Sequence, residues 1–244
     1  MTVSIIIPCF NAGKPLSVLI ESILQQQTEV DYEVIIQDGL STDHTTTQLL
    51  SLYEKHPHVQ VFREKDTGIY DAMNRGISHA NGDWLYFIGA DDKLYSPFVL
   101  EKIFGKQHTI ANGTSVVIGR AMFGERLQSY RLNNRIYLEN CVLHQAAFYH
   151  KSVFETFRYD ALFSVSSDYD LNFFCYRQQL ACHYVQTIIC QFSVDGISCE
   201  VHWKSYQEEL AVRKKHIHST LIRILLLPYT VGRYGLRKLL SLWK

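Results

Sequence analysis

Residues 3–7, VSIII, form a near-continuous β-branched run, the pattern of a parallel strand buried on both faces. Pro8 is expected to end it, with a turn at Asn11–Gly13. Pro15 suits the first turn of a helix, and Leu16, Leu19, Ile20, Ile23 and Leu24 then follow helical spacing. Residues 33–37, EVIIQ, read as a second strand that runs into Asp38-Gly39. Ser41, Thr42 or Asp43 can cap the next helix, which carries Leu49, Leu50 and Tyr53. Val59–Phe62 make a third strand. The following helix places Ile69, Ala72, Met73, Gly76, Ile77 and Ala80 on one face, and Asn81-Gly82 ends it in a turn. Trp84–Ile88 form a fourth strand leading into Gly89-Ala90-Asp91-Asp92.

Strictly alternating strands and helices over the first 92 residues predict a parallel sheet flanked by helices. In such sheets ligands bind beyond the carboxyl ends of the strands. Asn11, Asp38, Asp66 and Asp91-Asp92 fall at or near those ends. The second half is less regular. It predicts a short helix from Ser96-Pro97 to Phe104, a strand at 115–119, further strands at 142–150 and 185–193, and a helix over 168–179. Residues 206–244 read as helical, with a break near Pro228.

A chain of 244 residues, 47% hydrophobic and 20% charged, can bury a sizeable core and does not read as disordered. The first residues lack the basic start and cleavage site of a secretory signal. Six scattered cysteines without a C-x-x-C pair fit reduced thiols in the cytosol. The zero net charge hides an asymmetry. Residues 1–203 carry 15 Lys and Arg against 22 Asp and Glu, leaving −7, whereas residues 204–244 carry 9 against 2, leaving +7. The chain therefore divides into a body, 1–203, and a basic, Leu-rich tail, 204–244, that calls for an anionic partner.

Asp91-Asp92 is the strongest chemical signal. Adjacent carboxylates on a rigid strand end can hold Mn²⁺ or Mg²⁺ bridging a diphosphate, or can simply form an acidic turn. There is no G-x-x-x-x-G-K-S/T, and no G-x-G-x-x-G after the first strand. A nucleotide would then be held by strand-end side chains and a metal.

The stretches IIIPCFNAG, VIIQDGLSTDHT and EKDTGIYDAMNRGISHANGDWLYFIGADD resemble the successive motifs of family 2 glycosyltransferases. HQAAFYHKSVF, FRYDALFSVSSDYDL and CQFSVDGIS continue the resemblance in order, so that it covers roughly residues 2–200. D-x-G-I-Y-D-A-M-N-x-G-I is similar to the colanic-acid-type exopolysaccharide transferases. The resemblance implies a GT-A fold: an α/β, Rossmann-like, mostly parallel sheet flanked by helices, here followed by a C-terminal helical tail. It also implies a nucleotide-sugar donor, with UDP favoured over GDP and dTDP.

The same resemblance implies roles for individual residues. Pro8, Phe10 and Asn11 would contact the nucleotide base, and Asp38 would accept from a base N–H. Asp66, Asp71 and Asn74 would line the ribose and diphosphate. Asp92 would be the principal metal ligand, and Asp91 would serve ribose or metal. Gly89 departs from relatives that carry Asp or Asn there, which puts one contact in doubt. Asp168, in SSDYDL, would be the general base of an inverting transfer; read from the residues alone, it could equally cap a helix. His144 and Gln145 would face the acceptor. Tyr70 fits either packing or stacking.

In the tail, LIRILLLPY has too few consecutive apolar residues to cross a bilayer. RYGLRKLLSLWK sets Leu236, Leu239, Leu240 and Trp243 among Arg233, Arg237, Lys238 and Lys244, as in a basic helix lying on an anionic leaflet. A helix packed on the body, or a dimer contact, would read the same way. The expectation is a hexosyltransferase of bacterial polysaccharide or lipopolysaccharide assembly. It would use a lipid-linked or saccharide acceptor and sit peripherally on the cytoplasmic face of the cell membrane. The alternatives are a sugar-nucleotide nucleotidyltransferase, against which only Lys14 follows the first strand as a basic residue, and a non-catalytic nucleotide-sugar-binding membrane module. No nucleic-acid-binding motif accompanies the tail.

Overall fold

A computed structural model of the chain describes residues 1–193 and 202–241. The end of CQFSVDGIS, from residue 194 onward, Cys199, Trp243 and Lys244 lie outside the described residues.

The first half alternates as the pattern predicts: β1 (Thr2–Cys9), α1 (Pro15–Leu24), β2 (Asp31–Asp38), α2 (His44–Tyr53), β3 (Val59–Arg63), α3 (Ile69–His79) and β4 (Trp84–Phe87). The four strands lie parallel in the order β3-β2-β1-β4. β1 is central, which is why it reads as unbroken apolar sequence: successive side chains leave it on opposite faces, and both faces are covered. Val3, Ile5 and Ile7 join one core with Leu16, Leu19, Ile20 and Ile23 of α1. Ile6 joins the other core, with Tyr70, Met73 and Ile77 of α3. Each of these buried aliphatic side chains contributes roughly 1.5–3 kcal/mol. Asp43 caps α2 by accepting from Thr46 N–H at 2.8 Å.

Pro8 does not end β1, which continues to Cys9 and pairs with β2 through Asp38. Ile88 N–H donates to Ile6 C=O, and the paired register with β4 stops at Ile6–Phe87. The donor that Pro8 lacks would point to that same side, where no ladder remains to need it.

The second half adds β5 (Lys93–Leu94), α4 (Val99–Phe104), β6 (Val116–Phe123), β7 (Arg126–Ser129), β8 (Ala147–His150), α5 (Val153–Thr156), α6 (Ser167–Arg177) and β9 (Cys182–Phe192). The sheet extends from β4 through β8, β6 and β9 to β5, with β7 paired to β6. β8 is antiparallel to both β4 and β6. The strand expected over 142–150 is therefore shorter, and His144–Ala146 forms a 3₁₀ turn before it. β7 escaped the pattern because all four of its residues are exposed and give no apolar alternation.

Two helices close the chain, α7 (Trp203–His216) and α8 (Thr220–Ser241). The tail breaks not at Pro228, which lies inside α8, but between the helices at residues 217–219. Ile217 is extended and buried against Ile136, Tyr169, Phe173 and Val212, which fixes the turn there. Pro228 and Ile224, the residue whose carbonyl it leaves free, are both exposed, so water can satisfy that carbonyl.

Candidate active site

A cleft of about 490 Å³ opens beyond the carboxyl ends of β1 and β4, a size suited to a small-molecule ligand. Pro8, Phe10, Asp66, Asp91, Asp92, His144, Gln145 and Asp168 all line it, together with Tyr70, Ser164 and Val165. Asn11, Asp38, Asp71 and Asn74 are not among its lining residues. Each of these four is held by nearby protein groups. Asn11 Oδ1 accepts from the N–H of Thr42 and of Asp43, tying the loop after β1 to the loop before α2. Asp38 is buried and accepts from Ser41 N–H and its hydroxyl. Asp71 accepts from Thr67 N–H and pairs with Arg75. Asn74 clamps the backbone of Tyr159, donating to its carbonyl at 2.8 Å and accepting from its N–H at 2.9 Å.

At the mouth of the cleft Phe10 is 63% exposed. Asp66 packs over Gly39, where a Cβ would come within 2.5 Å of its Oδ2. The Asp-Gly sequence after β2 thus lets a carboxylate from the next strand end reach the cleft. Burial, helped by Asp71 and Asp38, raises the Asp66 carboxyl above its ordinary range, against Gly68 N–H, which lowers it.

Asp92 is 3% exposed. Its Oδ1 accepts from Ser193 N–H at 2.8 Å and its Oδ2 from Gln145 Nε2 at 3.2 Å. Burial, reinforced by the neighbouring Asp91 charge, pushes this carboxyl up to about 6 despite those bonds. Asp168 lies in the first turn of α6, whose N-cap position is Ser166, so it is not the helix cap. Its Oδ2 accepts from Asn140 Nδ2 at 2.9 Å, and its Oδ1 from Tyr169 N–H at 2.8 Å. Tyr70 is buried on α3. Its hydroxyl donates to Val165 C=O at 2.7 Å and lies 3.5 Å from Asp168 Oδ1.

One dipeptide joins the two carboxylates. Gln145 reaches Asp92, while His144 Nδ1 stands 3.5 Å from Asp168 Oδ2 without hydrogen-bond geometry. Among the described residues, the buried His144 Nδ1 and Gln145 Oε1 have no hydrogen-bond partner. Unmet polar atoms of this kind cost about 1–3 kcal/mol each and suit a bound hydroxyl.

The model of the family described as "Glycosyl transferase family 2" matches residues 4–181, most of the chain. The chain belongs to this family. It is 28% identical over 254 residues to a PGL/p-HBAD biosynthesis glycosyltransferase of Mycobacterium tuberculosis, covering 99% of this chain and 96% of that one. Among solved structures it resembles S. aureus TarS 1–349 in complex with UDP-GlcNAc, with a TM-score of 0.70 and 16% identity over 96% of this chain and 72% of that one. It also resembles the mannosyltransferase PcManGT of Pyrobaculum calidifontis in complex with GDP-Man and Mn²⁺, with a TM-score of 0.66 and 15% identity over 94% of this chain and 73% of that one. At these identities the two structures establish the fold, the GT-A type expected from the sequence.

For a family 2 glycosyltransferase the question of a metal turns on Asp91 and Asp92. No cluster of three or more His, Cys, Asp or Glu suited to a metal occurs among the described residues. The two carboxylates nevertheless converge above Gly89, where a Cβ would stand 2.9 Å from Asp91 Oδ1 and 3.1 Å from Asp92 Oδ2. Two hard oxygen donors over a gap kept open by glycine fit Mg²⁺ or Mn²⁺, which needs few protein ligands when a diphosphate supplies the rest. A side chain at position 89 would crowd both carboxylates, so glycine keeps the space between them open.

The transferase's supporting residues Asn140 and Glu208 lie outside the motifs read from the sequence. Asn140 is oriented by Asn172 Nδ2 at 3.0 Å, and its own contact with Asp168 spans 28 positions. Glu208 of α7 gathers the loop before α6, accepting from the N–H groups of Ser164, Val165 and Ser166 and from the Ser164 hydroxyl, at 2.7–3.1 Å. Its isolation was a usable signal, since Glu208 and Glu209 are the only acids after residue 203. Asp170 faces away from the cleft. It is fully buried, 2.6 Å from both Lys215 Nζ and His216 Nε2 on α7.

Proposed function

We propose that this transferase moves a hexose from a UDP-sugar, with inversion, to a hydroxyl of a lipid-linked or saccharide acceptor in bacterial polysaccharide or lipopolysaccharide assembly, at the cytoplasmic face of the membrane. The observation that carries the reading is the His144-Gln145 bridge, which spaces the acidic pair of exposed Asp91 and buried Asp92 from a second carboxylate at Asp168 across one cleft. The acidic pair suits a diphosphate and its metal, and the separate carboxylate suits an acceptor.

In this scheme Asp168 takes the proton of the acceptor hydroxyl as its oxygen attacks the anomeric carbon and the bond to UDP breaks. Asn140 and Tyr169 N–H hold both its oxygens, so that the carboxylate meets the hydroxyl in a fixed orientation. His144 Nδ1 and Gln145 Oε1 are left to bind acceptor groups. Asp91 and Asp92 would hold Mn²⁺ or Mg²⁺, which when bound neutralises charge on the departing diphosphate. Phe10 would stack on the base, and Asp66 would reach the ribose or diphosphate. The TarS complex with UDP-GlcNAc supports a UDP donor, and the name of the mycobacterial relative supports a role in glycoconjugate assembly.

Calorimetric titration with UDP, GDP and dTDP, each with and without Mn²⁺, tests the donor. UDP should bind best, more tightly with metal. Asp168→Asn should keep that binding and lose turnover by about 10²–10⁴-fold. Full activity in Asp168→Asn would remove the base assignment, and a folded chain that binds no nucleotide would remove the donor.

A further inference from the structure

α8 is wound with its polar side inward. Thr230 is fully buried, and Arg233 pairs with Glu139 and Glu209 beneath the helix. Leu226 packs on the third core cluster, and the Tyr234 ring meets those of Trp203 and Tyr206. Positions 226, 230, 233 and 234 share one face at helical spacing. The opposite face is apolar and outward. Leu221, Ile224, Leu225, Leu236, Leu239 and Leu240 are each between 59% and 68% exposed. Such a continuous stripe on a 22-residue helix, about 33 Å long, exceeds the scattered apolar residues of an ordinary surface.

Charge favours one occupant of this face. The tail's two acids both turn inward, Glu208 to the loop before α6 and Glu209 to Arg213 and Arg233. Among the described residues, the exposed charges from 203 onward are therefore basic: Lys204, Lys214, Arg237 and Lys238, with Lys215 turned to the buried Asp170. A second copy would bring the same cations against these. An anionic lipid surface complements them and accepts the apolar stripe at the same time. No helix among the described residues is long and apolar enough to cross a membrane, and the buried Thr230 and the paired Arg233 hold α8 flat against the body.

We propose that α8 is a membrane-docking helix that lies in the plane of an anionic leaflet, with Leu221, Ile224, Leu225, Leu236, Leu239 and Leu240 inserted. This surface is separate from the cleft and does not depend on which donor the cleft takes.

The test is flotation of the full chain with vesicles of phosphatidylcholine alone or of phosphatidylcholine with phosphatidylglycerol, alongside light scattering for oligomeric state. The wild type should float with the anionic vesicles, weakly or not at all with the neutral ones, and less as salt rises. Leu225→Glu with Leu236→Glu should abolish flotation without changing the melting temperature or UDP binding. Arg237→Ala with Lys238→Ala should weaken partitioning by about 30-fold, at about fivefold per cation near the surface. The proposal is overturned if the wild type does not float, or if the double-Glu variant floats equally well. A wild-type dimer that the double-Glu variant splits, with no vesicle binding, would overturn it in favour of a second copy.

Discussion

Glu208→Gln tests whether the tail helps to build the site or merely follows it. Glu208 is 7% exposed, and its carboxylate accepts four hydrogen bonds from Ser164, Val165 and Ser166. Burial alone would raise its pKa, but those bonds win and hold it below the usual carboxylate range. Glutamine keeps the shape and turns one oxygen into a donor facing N–H groups. Ser164 is exposed and can turn to water, whereas Ser166 is buried and cannot. The loss is therefore that of one or two charge-assisted bonds, about 2–3 kcal/mol, rather than four. For a chain of this length that is about 4–12 °C in melting temperature.

The pH dependence supplies a second readout. Because the folded pKa lies below the unfolded value near 4.3, the ionised form contributes its stability above that value. This contribution is lost as pH falls through the folded pKa. Protonated Glu208 resembles glutamine, so the gap between wild type and variant, measured by calorimetry, should be full at neutral pH and close in acid. Turnover should fall as well, because Val165 C=O anchors Tyr70 beside Asp168. Equal melting temperatures at neutral pH, or a gap indifferent to pH, would refute this account.

Gly89→Ala places a methyl group 2.9 Å from Asp91 Oδ1 and 3.1 Å from Asp92 Oδ2, and must spread the pair. Titration should show UDP binding losing its strengthening by Mn²⁺ while the fold persists; unchanged metal dependence would count against the acidic pair as the metal site. Asp170→Asn leaves the largely buried His216 without its carboxylate and frees the half-exposed Lys215 to water, and should cost about 1–3 kcal/mol of stability in denaturant melts, with nucleotide affinity preserved.

Much of the cleft was legible in sequence, because strand ends are local features. Asp66, Asp91 and Asp92 lie within a few residues of the ends of β3 and β4, and a parallel sheet gathers its carboxyl ends at one edge. Pro8, Phe10, His144, Gln145 and Asp168 also came together there, on the strength of motif order. Asn11, Asp38, Asp71 and Asn74 lie in the same motifs, but their side chains are engaged by nearby protein groups. A motif marks a position in the chain and leaves open which way its side chain turns.

The sequence by itself determined the first seven elements, their parallel order of construction and the acidic strand end. Hydrophobic periodicity records how many faces of an element must be covered, and the unbroken apolar runs of β1 and β4 needed both. Tertiary structure decided the rest. Asn140, Tyr70 and Glu208 meet the loop around Asp168 across 28, 98 and about 43 positions, distances at which no local spacing carries a signal. It also decided that α8 presents its apolar side outward. Periodicity shows that a helix has two faces, and only the partners of Thr230 and Arg233 on the body fix which one turns inward.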